Sequence, residues 1–144
     1  MKKLAIACDH AGLETKNYLI EKLREQGYTL KDFGTFTDES VDYPDFAHPL
    51  AKAMDEGIFD LGITLCGSGN GINMTANKHQ HIRSALCWNT EIAELARAHN
   101  DANVCALPAR FVVKQKALEI VNSFLSTDFE GGRHQRRVEK IPLD

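Results

Sequence analysis

Short, largely apolar runs alternate along this chain with stretches whose apolar residues recur at helical spacing. Leu4 to Cys8, Leu61 to Cys66, Ser84 to Cys87 and Val104 to Leu107 have the length and composition of buried strands, and Tyr28 to Asp32 is a weaker, edge-like strand. Helical periodicity covers about 12 to 25, 46 to 56, 70 to 78, 90 to 98 and 112 to 126, with Gly27 and Gly57 as C-terminal caps of the first two. Strand followed by helix, repeated, implies a parallel sheet with helices on both faces. The pattern therefore predicts an α/β protein, a three-layer α/β/α sandwich around a five-stranded parallel, Rossmann-like sheet. One more helix is expected after Gly131-Gly132. Residues 33 to 45, with Gly34, Pro44 and several acids, read as a long surface loop of the kind that often carries function.

Composition narrows the setting. A chain of 144 residues is the size of one domain, and repeats, low-complexity tracts and linkers are not evident, so residues 1–144 are read as a single unit. Hydrophobic content of 43%, charged content of 26% and a net charge of -3 give no reason to expect nucleic acid as a partner. Any anion must be held locally. No stretch is long enough to cross a membrane, and the apolar run after Lys2-Lys3 is too short for a signal peptide before it meets Asp9 and His10. Cys8, Cys66, Cys87 and Cys105 form no C-x-x-C pair, which argues against a zinc knuckle or a dithiol and fits a reducing cytoplasm.

In an open parallel sheet, ligands bind beyond the carboxyl ends of the strands. The strand ends here are Cys8-Asp9-His10, Cys66-Gly67-Ser68, Cys87-Trp88-Asn89 and the residues before Pro108-Ala109-Arg110. The segment Cys66-Gly67-Ser68-Gly69-Asn70-Gly71 places a thiol at the start of a glycine-rich turn that leads into a helix. Backbone N–H groups in such a turn can surround an anion, and a helix start favours thiolate over thiol. A base and an anion hole can thus share one turn. His99-Asn100 precedes the last strand and so belongs to the opposite rim of the same chain, a position suited to completing a neighbouring chain's site.

Spacing removes the common glycine-loop ligands. A dinucleotide fingerprint needs glycine where Ile72 stands, the P-loop lysine is missing, and a C-x5-R phosphatase loop needs arginine at Ile72. Plain packing is the reading for Cys8, Cys87 and Cys105, since cysteine behaves as a small hydrophobe. His48, His79, His81 and His134 are assigned surface or local hydrogen-bonding roles. Asp9-His10 also reads as a turn that caps a helix. Near the C-terminus, Arg133 and Arg137 at i, i+4 would share a helix face and form a phosphate clamp, with Arg136 a third candidate, or they belong to a solvated charged helix.

Taken together, Asp9-His10-Ala11-Gly12, Asp42-Tyr43-Pro44, Cys66 to Gly71, Ala76-Asn77-Lys78, His99 to Asn103 and Gly131 to Gln135 resemble the ribose-5-phosphate isomerase B family, which includes galactose-6-phosphate isomerase subunits. The resemblance runs from end to end. It implies metal-independent, cofactor-free interconversion of phosphorylated aldoses and ketoses through an enediolate. Cys66 is then the base between C1 and C2. Gly67, Ser68, Gly69, Asn70 and Gly71 face the oxyanion, and Ser68 serves the sugar oxygens or a proton relay. His99 helps open the furanose ring, and Asp9 and Asn100 orient its hydroxyls. His10, Arg110, Arg133 and Arg137 hold sugar and phosphate. The resemblance also implies a homodimer or homotetramer with active sites between subunits, and work in the pentose phosphate pathway. Pro108, just before Arg110, departs from the small residue expected there.

Ribose 5-phosphate and ribulose 5-phosphate are the expected substrates, because one chain carries the whole residue set. A six-carbon phosphate, of galactose or allose, is the alternative. Two other classes stay open on residues alone: a cysteine hydrolase using Cys66, His99 and Asn100, and a non-catalytic sugar-phosphate sensor.

Overall fold

The computed structural model describes residues 2–143 and contains the expected layers. In chain order they are β1 (Lys3–Cys8), α1 (Leu13–Glu25), β2 (Thr29–Asp32), α2 (Pro44–Asp55), β3 (Leu61–Cys66), α3 (Asn70–Ala76), β4 (Ser84–Leu86), α4 (Thr90–Asn100), β5 (Val104–Pro108), α5 (Lys114–Ser126) and α6 (Arg133–Val138). A 3-10 turn, His10–Gly12, precedes α1. Boundaries move from the sequence expectation by one or two residues at most ends. The reasons are local: Pro44 is pre-set for the first turn of α2, so that helix starts two residues early, and extended Val113 makes α5 start late.

All pairings are parallel, and the strand order is β2-β1-β3-β5-β4. Helices α1, α4 and α5 pack together on one face, with α6 against α4, while α2 and α3 cover the other. That division follows from handedness. Crossovers β1 to β2 and β4 to β5 run one way across the sheet, whereas β2 to β3 and β3 to β4 run the other, so right-handed connections must use opposite faces. Connections leave in opposite directions on either side of the β1/β3 pair, which makes the carboxyl ends of those two strands the switch point.

Strand side chains alternate by size as well as by face. Leu4, Ile6 and Cys8 enter the large core under α1, α4 and α5 with Leu19, Leu23, Ile63, Leu65, Ile120 and Phe124. Ala5 and Ala7 face α2 and α3 beside Leu50, Ala51, Met54 and Val104. Small residues there let α2 approach closely. A Cβ on Gly62 would come within 2.7 Å of Met54 Sδ, so a side chain at this strand position would force Met54 to shift.

One charged pair is built into this core. Lys16 of α1 is completely buried and bonds both carboxylate oxygens of Asp32 at the end of β2, at 2.7 and 2.6 Å. Asp32 Oδ1 also accepts the Gly34 N–H at 2.9 Å. Gly34 and Thr35 in turn bracket Cys8, accepting its N–H at 2.7 Å and donating to its carbonyl at 2.8 Å. The buried pair therefore anchors the root of the loop between β2 and α2 against the end of β1.

Candidate active site

Register fixes what meets at the switch point. Cys8 pairs with Leu65, and the Asp9 N–H continues the ladder to the Leu65 carbonyl at 3.1 Å, so Asp9 stands beside Cys66. On the other side Cys66 pairs with Pro108. The chain beyond them stays in step: Ala109 N–H donates to the Cys66 carbonyl at 2.9 Å and Arg110 N–H to the Gly67 carbonyl at 3.0 Å. Pro108 thus closes β5 without diverting Ala109 and Arg110 from the glycine turn. The Arg110 guanidinium lies across Gly67, where a Cβ would sit 3.0 Å from Nη1.

Cys66 is 4% exposed and packs with Ala47, Ile72, Ala106 and Leu86. The other cysteines match the packing expectation. Burial pushes the Cys8 thiol up to about 12, and Cys105 is raised by its contact with Cys87 and by burial. In the turn itself, Gly69 adopts a left-handed φ of 78° and Ser68 Oγ accepts the Asn70 N–H at 3.2 Å. A Cβ at Gly69 would strike Leu86 and the Leu107 backbone, so the turn needs glycine for both conformation and space.

The turn reading of Asp9-His10 holds. Asp9 caps the 3-10 turn by accepting the Ala11 N–H at 3.0 Å, and it is 7% exposed. His10 Nδ1 accepts the Val41 N–H at 3.1 Å, which fixes the neutral tautomer with its proton on Nε2. That nitrogen is a donor suited to a phosphate or hydroxyl oxygen.

The loop of residues 33 to 43 is a strap across this rim. Besides Cys8 and His10 it reaches the glycine turn, where the Tyr43 ring covers Gly71 so closely that a Cβ there would collide with it. Tyr43 was not among the site residues expected from sequence. Its signal was the Asp42-Tyr43-Pro44 motif, in which Pro44 starts α2 and leaves Tyr43 at the helix entrance.

His99, Asn100, Arg133 and Arg137 lie elsewhere. Helix α4 leads into the amino end of β5, where Asn103 bonds Arg83 at the start of β4, while Cys66 closes β3 at the carboxyl end. Five strand residues separate the two rims, roughly 13 to 16 Å of strand length. A Cys66-His99-Asn100 triad within one chain is therefore excluded. His99 instead stacks on His134, with ring centroids 4.2 Å apart and planes 13° from parallel. Partial burial, then His99 and Arg133, lower the His134 pKa below the ordinary histidine value. The stack also orients α6: at about 100° per residue Arg133 and Arg137 lie together to one side of His134, whereas Arg136 projects to the far side. The structure thus brings the expected residues together in two groups on opposite rims.

A thiol, an acid, an imidazole and a guanidinium over a glycine turn at the switch point of an α/β domain are suited to a small polar anion. Comparison with known proteins gives the family. Residues 4–141 match the family model described as Ribose/Galactose Isomerase. Ribose-5-phosphate isomerase B of Escherichia coli is 44% identical over 141 residues, covering 98% of this chain and 95% of that protein. A ribose 5-phosphate isomerase from Thermotoga maritima superposes with a TM-score of 0.96 at 45% identity, covering 98% and 97% of the two chains. Ribose-5-phosphate isomerase B from Mycoplasma genitalium, solved with bound ribulose-5-phosphate, gives 0.93 at 42% identity and 96% and 93% coverage. The chain belongs to the Ribose/Galactose Isomerase family, and it is an enzyme of the sugar-phosphate isomerase class. Among the described residues no helix is long and apolar enough to cross a membrane.

Proposed function

We propose that this enzyme interconverts ribose 5-phosphate and ribulose 5-phosphate, with Cys66 as the base that moves a proton between C1 and C2. The observation that carries the reading is the meeting of Cys66, Asp9, His10 and the Gly67–Gly71 turn at one switch point, in a chain 44% identical to a ribose-5-phosphate isomerase. Proton removal beside a carbonyl builds charge on oxygen, so the reaction needs a base and donors aimed at that oxygen. Cys66 and the turn amides supply both, with Ser68 near enough to serve a sugar hydroxyl. No metal or cofactor enters this scheme.

His10 Nε2 and Arg110 provide donors for the phosphate or sugar oxygens on the same rim. His99 as ring-opening group, Asn100 as hydroxyl partner and the Arg133/Arg137 clamp reach the substrate only if a second copy presents its amino rim to this carboxyl rim. A homodimer or homotetramer with sites between subunits is therefore part of the proposal. The assay is isomerisation of five- and six-carbon sugar phosphates by the enzyme in buffer containing a chelator. Turnover of ribose 5-phosphate well above galactose or allose 6-phosphate is expected. A clear preference for a six-carbon phosphate would reassign the substrate, and binding without turnover would make the chain a sensor.

A further inference from the structure

Three ligand-type side chains converge at the amino rim, two of them unexplained by the proposed reaction. Glu130 Oε1 lies 3.9 Å from His99 Nε2 and 3.6 Å from His134 Nε2. One donor atom from each of the three falls within 4.8 Å of the others. Backbone contacts build the cluster. Glu130 N–H donates to the Ala98 carbonyl at 3.0 Å, and Arg97 Nε donates to the Thr127 carbonyl at 3.2 Å, tying the segment after α5 to α4. Gly131 and Gly132 then take φ values of 69° and 56°, a bend that turns residues 130 and 134 toward the same helix end.

Two imidazoles and one carboxylate are a zinc-type donor set. Metal–ligand bonds of about 2.0 to 2.1 Å in tetrahedral geometry separate ligand atoms by roughly 3.3 Å, so the observed spacings need only small closure. Glu130, whose side chain is 59% exposed, can supply part of it by turning its carboxylate, and the two rings, 13° from parallel in their stack, must unstack so that their in-plane lone pairs converge on the ion. The side chain of His99 is 39% exposed, which leaves an entry path and room for a water ligand. Arg133 and Arg137 nearby oppose a dication, so weakly held hard ions such as Mg2+ are disfavoured relative to Zn2+.

We propose that His99, Glu130 and His134 form a binding site for Zn2+ or a similar transition-metal ion, and that its occupancy switches the isomerase off by engaging the His99 imidazole. Binding stands on the cluster alone; the inhibitory half rests on the ring-opening role proposed for His99. Two other places on the chain can attract zinc and serve as controls: the Cys66 thiol, and the pair His48–His79, whose ring nitrogens lie 2.8 Å apart beside Asp55.

The test titrates metal-free enzyme with ZnCl2 by calorimetry and with Co2+ by visible absorption, while isomerase activity is followed in parallel. Expected is one site per chain, weakened by at least about 10- to 100-fold in Glu130→Gln and in His134→Asn, the scale by which even supporting residues change metal affinity. Cys66→Ser and His79→Asn should keep the affinity, and activity of the unmodified enzyme should fall with occupancy and return with EDTA. Absence of binding, or binding that survives Glu130→Gln and His134→Asn, overturns the site. Full activity of the zinc-loaded enzyme overturns the inhibitory role. An enzyme inactive before zinc is added would instead sink the isomerase reading, and the calorimetry would still decide the site.

Discussion

Replacing Lys16 by Met tests how the fold sets the rim. Lys16 is 0% exposed and Asp32 is 21% exposed, with two bonds of 2.7 and 2.6 Å between them. Met keeps most of the buried stem and removes the ammonium. Breaking a buried pair by deleting one partner costs about 3 to 5 kcal/mol, because the remaining charge is left uncompensated. Asp32 keeps some solvent and the Gly34 N–H, so the cost belongs at the lower end, about 3 kcal/mol. For a chain of this size that lowers Tm by roughly 6 to 12 °C. Asp32→Asn strands the fully buried ammonium and should cost at least as much. The double variant Lys16→Met/Asp32→Leu should recover most of the loss, retaining a deficit of about 1 to 2 kcal/mol for the unpartnered Gly34 N–H. Thermal and urea unfolding by circular dichroism, at fixed protein concentration because subunit association adds to stability, measures all three. A Lys16→Met loss below about 0.5 kcal/mol, or a double variant as unstable as the sum of the singles, would refute the reasoning.

Gly71→Ala puts a methyl into the Tyr43 ring; isomerase kinetics should show a fall in kcat/KM, and Tyr43→Ala in the same chain should restore part of it. Mixing Cys66→Ala with His99→Asn enzyme, refolded together, should regain roughly a quarter of the wild-type sites, because half the random dimers are mixed and each then carries one intact site; no regain would mean that His99 does not complete a neighbouring chain's site. Alkaline pH should weaken the fold. Burial keeps Cys8 protonated to about 12 while an unfolded thiol ionises near 9.0, so the unfolded chain binds fewer protons and stability falls as pH rises between those values; the slope should diminish in Cys8→Ala when urea midpoints are followed against pH.

Hydropathy alone carried the layers of this fold, because the central strands are short buried runs and the long helices each have one apolar face. The position of β4 outside β5 was not legible: both are short and apolar, and the difference lies in the half-burial of Ser84–Leu86 against complete burial of Val104–Pro108. At the site, the thiol and the glycine turn were visible because they are contiguous in the chain. Tyr43 over Gly71 and His134 on His99 were not, since each depends on where a bend aims a distant residue. Arg136 shows the same limit from the other side. Spacing in sequence left it level with Arg137, and the packing of one ring on another separated them.

The role of Cys66 as the group that moves the proton is central, and one measurement tests it most directly. Ribose 5-phosphate isomerisation is followed in D2O, with deuterium incorporation at C1 and C2, for the wild-type enzyme and Cys66→Ala. The wild type should turn over in the presence of a chelator and exchange hydrogen with solvent. Cys66→Ala should be slower by about 100- to 10,000-fold in both readouts with its fold and substrate binding retained. A folded Cys66→Ala enzyme with wild-type turnover and exchange would contradict that role.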